Sequence, residues 1–224
     1  MRFTPPLLCL ALTGITTFAA LPVVAQDDER GFYATAYAQA SRLASTDFDE
    51  IGNAGLGRGL EAKFDLGLGL GGDIGYRYGN GWAAEVEWNW RRHELQSLRG
   101  GAGARIDDGD FASNIFFLNG LRRLEPLGNG WTPYLGLGLG WVQEIDFDLN
   151  SAAAERAWSK QGEFGAQFIG GVEIPLSDHW HLTADLRYLR LGSVELPAEE
   201  GATGRLAKPD YRPLSFQIGL RRSF

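Results

Sequence analysis

From Phe64 to Tyr78 the chain reads FDLGLGLGGDIGYRY, and its positions separate into two sets. Phe64, Leu66, Leu68, Leu70, Gly72, Ile74, Tyr76 and Tyr78 form one set, apolar but for a single Gly. Asp65, Gly67, Gly69, Gly71, Asp73, Gly75 and Arg77 form the other, which is only Gly and charge. A period of two predicts a strand, because a helix would scatter the apolar set around its axis. Soluble strands run about 5–6 residues. A half-apolar strand this long fits an element that crosses a bilayer at a tilt, with roughly 9–11 residues facing lipid and lumen in turn.

Seven further segments repeat the pattern. Phe32–Ala40 sets Phe32 and four alanines against Tyr33, Thr35, Tyr37 and Gln39. Trp82–Glu94 sets Trp82, Ala84, Val86, Trp88 and Trp90 against Glu85, Glu87, Asn89, Arg91 and His93. In Phe111–Leu124 the run Ile115–Leu118 is all apolar and leaves the faces open; Asn119 inward would put Phe116 and Leu118 outward. Trp131–Val142 sets Trp131, Leu135, Leu137, Leu139 and Trp141 against Thr132, Tyr134 and three glycines. Phe164–Leu176, Trp180–Leu191 and Pro213–Phe224 complete the set, with Gln167 and Glu173, then His181, Asp185 and Arg187, then Gln217 and Arg221 on their polar faces.

The connections alternate. Three are tight, at Gly79-Asn80-Gly81, around Gly128-Asn129-Gly130, and at Ser177-Asp178-His179, and Gly and Asn there supply the backbone conformations that hairpin turns need. Four are long, about 41–63, 95–110, 143–163 and 192–212, and are expected to be solvated loops. Gly-Asn-Gly-Trp occurs at 79–82 and again at 128–131, and Trp82, Trp131 and Trp180 lie 49 residues apart. One period is a strand, a long loop, a strand and a turn, a rhythm that a propeller of similar period would not give. Three tryptophans entering strands at the same point predict an aromatic girdle at the membrane interface. The predicted fold is all-β: an eight-stranded, antiparallel, up-and-down transmembrane β-barrel, with short turns periplasmic and long loops extracellular.

Composition changes this picture little. A mean hydropathy of -0.18 fits a barrel of which only one face is apolar. Residues 1–25 read as a secretory signal, with Arg2, the apolar stretch Leu7–Ala20 and Val23-Val24-Ala25 before a cleavage site, which leaves 26–224 as the barrel domain. Cys9, the single Cys, lies in that signal, so the mature chain has no disulfide. A net charge of -7, without basic runs interleaved with aromatics, argues against nucleic acid as a partner.

Thr132-Pro133-Tyr134-Leu135-Gly136-Leu137-Gly138-Leu139-Gly140-Trp141 and the final Ser215–Phe224 strand carry a resemblance. They resemble the small eight-stranded outer-membrane β-barrel superfamily, which includes opacity-like surface proteins and the barrel of outer-membrane protein A. The resemblance implies export to the cell outer membrane of a Gram-negative bacterium, contact with outer-membrane lipid and lipopolysaccharide, and handling by periplasmic chaperones and the barrel-assembly machinery. It implies that Phe216 and Phe224 serve as the assembly signal. No peptidoglycan-binding domain is expected after Phe224. Lipid A deacylases of similar size need a His-x-Ser pair; His93, His179 and His181 are followed two residues on by Leu95, His181 and Thr183. Omptin-type proteases use ten strands, against eight here. The expectation is a non-enzymatic monomer without cofactor or metal, with a structural or surface-interaction role through its long loops and an unidentified extracellular ligand.

The inner face predicts a charge cluster of Asp73, Arg77, Glu85, Glu87, Arg91, Asp185, Arg187 and Arg221, joined by Asp65, His93 and Glu173. Opposite charges in a narrow lumen pair, because an unpaired buried charge is costly. The side chains of eight strands suffice to fill such a barrel. The alternative is a small porin, since Gly67, Gly69, Gly71, Gly75, Gly136, Gly138 and Gly140 leave a wall without side chains. Tyr33, Tyr37, Arg91 and Arg187 from other strands either fill that space or leave it to water. Periodicity alone also admits a soluble lipocalin-like barrel with the apolar face inward. The acidic stretches 47–50 and 144–148 raise the further expectation of bridging divalent cations.

Overall fold

A computed structural model describes residues 30–52, 56, 58–100, 105–106, 108–151, 154–192, 195–199, 202–207 and 210–224. The expected signal segment lies outside them. In chain order the strands are β1 Gly31–Leu43, β2 Thr46–Ile51, β3 Leu60–Phe64, β4 Gly67–Arg77, β5 Trp82–Arg99, β6 Arg105–Ile106 and β7 Gly109–Arg123. Then follow β8 Thr132–Ser151, β9 Ala154–Lys160, β10 Phe164–Pro175, β11 Trp180–Leu191, β12 Glu195–Pro197, β13 Arg205–Ala207 and β14 Pro213–Ser223.

Strands β1, β4, β5, β7, β8, β10, β11 and β14 close a barrel in that order, every pair antiparallel, with β14 pairing back onto β1. Closure removes every open edge, the condition for a sheet surrounded by lipid. The wall is apolar outside and polar inside. Leu139 is 70% exposed and Leu68 66%, while Glu87, Asn89 and Gln217 are buried. This orientation overturns the lipocalin-like alternative. Strand β7 resolves its ambiguous run, with Ile115, Phe117 and Asn119 inward and Phe116 and Leu118 outward.

The tight turns fall where expected. Gly79, Gly81 and Gly130 adopt φ of 73°, 79° and 81°, a region that side chains disfavour. In each turn a side-chain oxygen accepts the N–H of the following tryptophan: Asn80 for Trp82 (3.1 Å), Asn129 for Trp131 (3.1 Å) and Ser177 for Trp180 (3.3 Å). The sequence repeat is thus a repeated turn that starts a strand.

The opposite end departs from expectation. The 15-residue strand is two: β3 and β4 are separated at Asp65 and Leu66, and the ladder to β5 shifts between Lys63 and Phe64. Phe64 therefore turns inward onto Phe111 and Phe147, not toward lipid, and Asp65 is exposed outside the lumen.

The stretches expected as loops are largely folded. β5 runs on to Arg99 and β8 to Ser151, where β9 returns as a hairpin. β3 adds to β5, β2 to β3, β13 to β2 and β12 to β13. A bridge between Trp158 and Ala198 and a hydrogen bond from Glu199 N–H to the Ala157 carbonyl (2.9 Å) join β12 to β9. The strands at this end thus form a second ring on top of the barrel, sharing β5, β7 and β8 with it.

That ring has its own apolar core. Leu56, Leu60, Leu95, Leu98, Phe111, Ile145, Phe147, Leu149, Trp158, Leu196, Leu206 and Tyr211 are each at most 4% exposed. Such clusters are the normal interior of a soluble domain.

Candidate functional site in the barrel lumen

The eight residues of the expected charge cluster all project into the lumen and are buried, since each occupies an inward position of a two-residue period. Register then decides which meet. Asp73 lies opposite Glu87, Gly75 opposite Glu85 and Asp185 opposite Gln217, so the carboxylates of β5 face arginines from the far wall across the narrow interior.

Two hubs organise the network. At the tight-turn end Glu173 accepts two hydrogen bonds from Arg77 (both 2.9 Å), one from Arg221 (3.1 Å) and one from Arg123 (3.4 Å). Arg221 continues to Glu85 (2.8 Å) and to Thr35 (2.9 Å), and lies 4.3 Å over the Tyr33 ring. Midway along the barrel Glu87 is paired with Arg187 and accepts hydrogen bonds from Tyr37 (2.5 Å), Asn119 (2.7 Å) and Gln167 (3.1 Å). Arg187 also donates to Asp185 (2.7 Å), which accepts from Tyr134 (2.8 Å). Buried charges are tolerated when paired and hydrogen-bonded in this way.

Two members of the cluster stand apart. Asp73 makes no ion pair closer than that to Arg221, at 4.0 Å, among the described residues. Arg91 meets neutral acceptors, Asn89 Oδ1 (2.7 Å) and Ser215 Oγ (3.0 Å). Above Arg91 the lining becomes neutral: Ser41 bonds His93 (2.9 Å) and Ser113 bonds Tyr211 (2.7 Å), beneath the apolar cluster.

The glycine wall is occupied space. A Cβ on Gly71 would overlap the Tyr37 hydroxyl, one on Gly75 the Tyr33 ring, and one on Gly138 the Asn119 amide. On Gly69 it would come within 2.6 Å of the Gln39 amide, and on Gly140 within 2.6 Å of Phe117. The glycines are small because large side chains from neighbouring strands lie across them.

Tyr134 is expected on the polar face of its strand, Asn119 inward is one reading of its own, and Arg123 shares the inward period, but their roles as donors to carboxylates depend on cross-barrel register, which one strand does not show. Among the described residues no group of three carboxylates, histidines or cysteines is placed to hold a metal ion. Within the 47–50 stretch Asp49 and Glu50 instead accept backbone N–H groups of Gly59 (3.0 Å) and Leu56 (2.6 Å).

Comparison with known proteins agrees with this geometry. The fold is similar to that of the outer membrane protein OprG from Pseudomonas aeruginosa, at 19% identity over 87% of this chain and 96% of that one, with a TM-score of 0.63. It is also similar to Neisserial surface protein A, at 18% identity over 87% and 97% of the two chains and a TM-score of 0.54. The outer membrane protein AlkL, determined in DMPC bilayers, is similar at 18% identity over 93% and 97%, with a TM-score of 0.51. No curated protein sequence matches. Residues 8–224 match the family described as outer membrane protein beta-barrel domain. An outward apolar wall, tight turns at one end and a family match over nearly the whole chain place this protein in the outer membrane, as a member of the outer membrane β-barrel family.

Proposed function

We propose that this protein is a non-enzymatic, non-conducting barrel that anchors a folded extracellular extension, which acts as its surface-interaction unit. One observation carries the reading: the lumen is filled, by a paired charge network below and an apolar core above. Side chains lie across the lumen-facing Gly69, Gly71, Gly75, Gly138 and Gly140, which supports a closed axis. Ser41 and His93 make a serine–histidine contact, but both are buried and His93 Nδ1 has no carboxylate to orient it, which argues against a nucleophile there.

In this reading Asp73, Arg77, Glu85, Glu87, Arg91, Asp185, Arg187 and Arg221 have a structural role. Trp82, Trp131 and Trp180, all at least 40% exposed beside the tight turns, are the interface girdle. Phe216 and Phe224, exposed on the outer face of the last strand, are the groups engaged by chaperones and the assembly machinery. The test is conductance of the purified chain in planar bilayers. The reading expects no steady channel events; reproducible unitary steps would replace it with the small-porin alternative. A Phe224→Ala variant is expected to slow the appearance of the heat-modifiable folded form in cells.

A further inference from the structure

The outer rim of the barrel is electrostatically divided. On β11 the outward position after Tyr188 is Arg190; just ahead of β14 the one before Leu214 is Arg212; on β1 the one after Ala40 is Arg42. These three strands are consecutive in the wall. Tyr188 pairs with Leu214, and the ladder continues through Leu191 N–H to the Tyr211 carbonyl (3.2 Å), so Arg190 lies opposite Arg212. Leu214 pairs with Arg42, so Arg42 is the diagonal neighbour of Arg212. Directly opposed positions are about 5 Å apart and diagonal ones about 7–8 Å, and like charges so placed repel.

The neutralisation is incomplete. Arg212 pairs with Asp210 (2.7 Å). Arg42 and Arg190 are exposed, and no carboxylate among the described residues pairs with either. On the far side of the rim the charge is opposite. The outward positions of β7 and β8 carry Asp110, Glu144, Asp146 and Asp148, beside Glu199. The arginine sector stands one outward position above the last lipid-facing residues, Tyr188, Leu214 and Ala40, at the level where the outer leaflet carries its phosphates.

We infer that Arg42, Arg190 and Arg212 form a cradle for a phosphate group of lipid A, the glycolipid of the outer leaflet. Guanidinium groups suit this ligand because their planar donors match phosphate oxygens two at a time. A phosphate between the three strands removes the repulsion that Asp210 alone leaves. The acidic sector repels the same ligand, so the lipid binds on one side of the barrel.

The test uses the full chain in detergent micelles, titrated with bisphosphorylated, monophosphorylated and dephosphorylated lipid A, with EDTA present to remove bridging cations. The wild type is expected to bind the bisphosphorylated form at least 10-fold more tightly than the dephosphorylated one. A triple Arg42→Gln, Arg190→Gln, Arg212→Gln variant is expected to lose that preference, while Arg92→Gln, whose side chain is already engaged by Asp110, keeps it. The heat-modifiable shift verifies folding, and the single Arg190→Gln variant, expected to lose about half of the preference in logarithmic terms, serves if the triple variant does not fold. Equal binding of all three lipids, a triple variant that retains the preference, or full displacement by millimolar inorganic phosphate would each overturn the assignment. Binding that disappears with EDTA alone would overturn it too, because it would move the site to the carboxylates.

Discussion

Strands β5 and β8 pass through two interiors that follow opposite rules. Up to Trp90, β5 points its apolar residues outward and Glu85, Glu87, Asn89 and Arg91 inward. Beyond Arg91 it points Leu95 and Leu98 inward and Arg92, Glu94 and Arg99 outward. Strand β8 does the same: Leu135, Leu137, Leu139 and Trp141 face outward, then Val142, Ile145, Phe147 and Leu149 face inward. A register shift opposite Asn114 and Ile115 lets Val142 and Ile145 both point in although they differ in parity. The backbone is one continuous ladder, and the solvent changes around it. Below the crossing the surroundings are lipid, so polar groups go inside; above it they are water, so apolar groups do. The level at which the apolar face changes sides is the membrane boundary written into the sequence.

The sharpest way to break this comparison is to damage each interior by its own mechanism. Glu173→Gln leaves Arg77, Arg221 and Arg123 around a neutral amide in a closed space. Removing one partner of a buried ion pair costs about 3–5 kcal/mol. The lower barrel is expected to lose its heat-modifiable form at markedly lower urea than wild type. Trp158→Ala empties a site that is 0% exposed and packs on Phe147, at about 3–5 kcal/mol. Its effect is expected to stay local: hydrogen exchange and protease cleavage rise in β9 and β12, while the gel shift of the barrel persists. If Trp158→Ala abolished the shift, the two interiors would be one cooperative unit.

A smaller effect separates the inner and outer glycines. Gly75→Ala pushes a methyl group into the Tyr33 ring, which cannot retreat without leaving Glu85 (2.9 Å) and Arg221, and overpacking of this kind costs about 1–3 kcal/mol. Gly120→Ala meets nothing within 4 Å on the lipid side and is expected to leave the urea midpoint unchanged within error. Equal midpoints for the two variants would mean that the lumen has slack after all, and would favour the small-porin alternative.

How much of this was legible follows from which forces act within one strand. The wall was, because a period of two shows in a single segment: β11 begins at Trp180 and ends at Leu191 as expected. The inward charges were legible too, for the same reason, except Asp65, which the break between β3 and β4 leaves exposed. What Glu173 does was not, since Arg77, Arg221 and Arg123 reach it from three other strands. The core of the second ring was missed because its strands are short and broken. Leu196 and Leu206 sit on three-residue strands that show no period, and Leu56 lies outside any strand. The bulges at Phe64 and Val142 further disguised it, by putting residues of opposite parity on one face.

Asp146 offers the finest probe of the boundary. It lies on the β8–β9 hairpin, beyond the lipid-facing span. Partial burial, then the like charges of Glu144, Asp148, Glu199 and Asp110, push its carboxyl up to about 7. In the unfolded chain the same group titrates near about 3.9. Below that value the carboxyl is protonated in both states, and burial of the charge costs nothing. As the pH rises from there toward 7 the unfolded chain gives up its proton while the folded hairpin retains it, so the extension loses stability through that window and regains none above it. Exchange protection of the Ile145–Leu149 amides, corrected for intrinsic rate, is therefore expected to be lower at pH 8 than at pH 5. Asp146→Asn should remove most of that difference and leave the barrel amides of β10 and β11 unaffected. A pH dependence that survives the substitution would assign it to the neighbouring carboxylates instead.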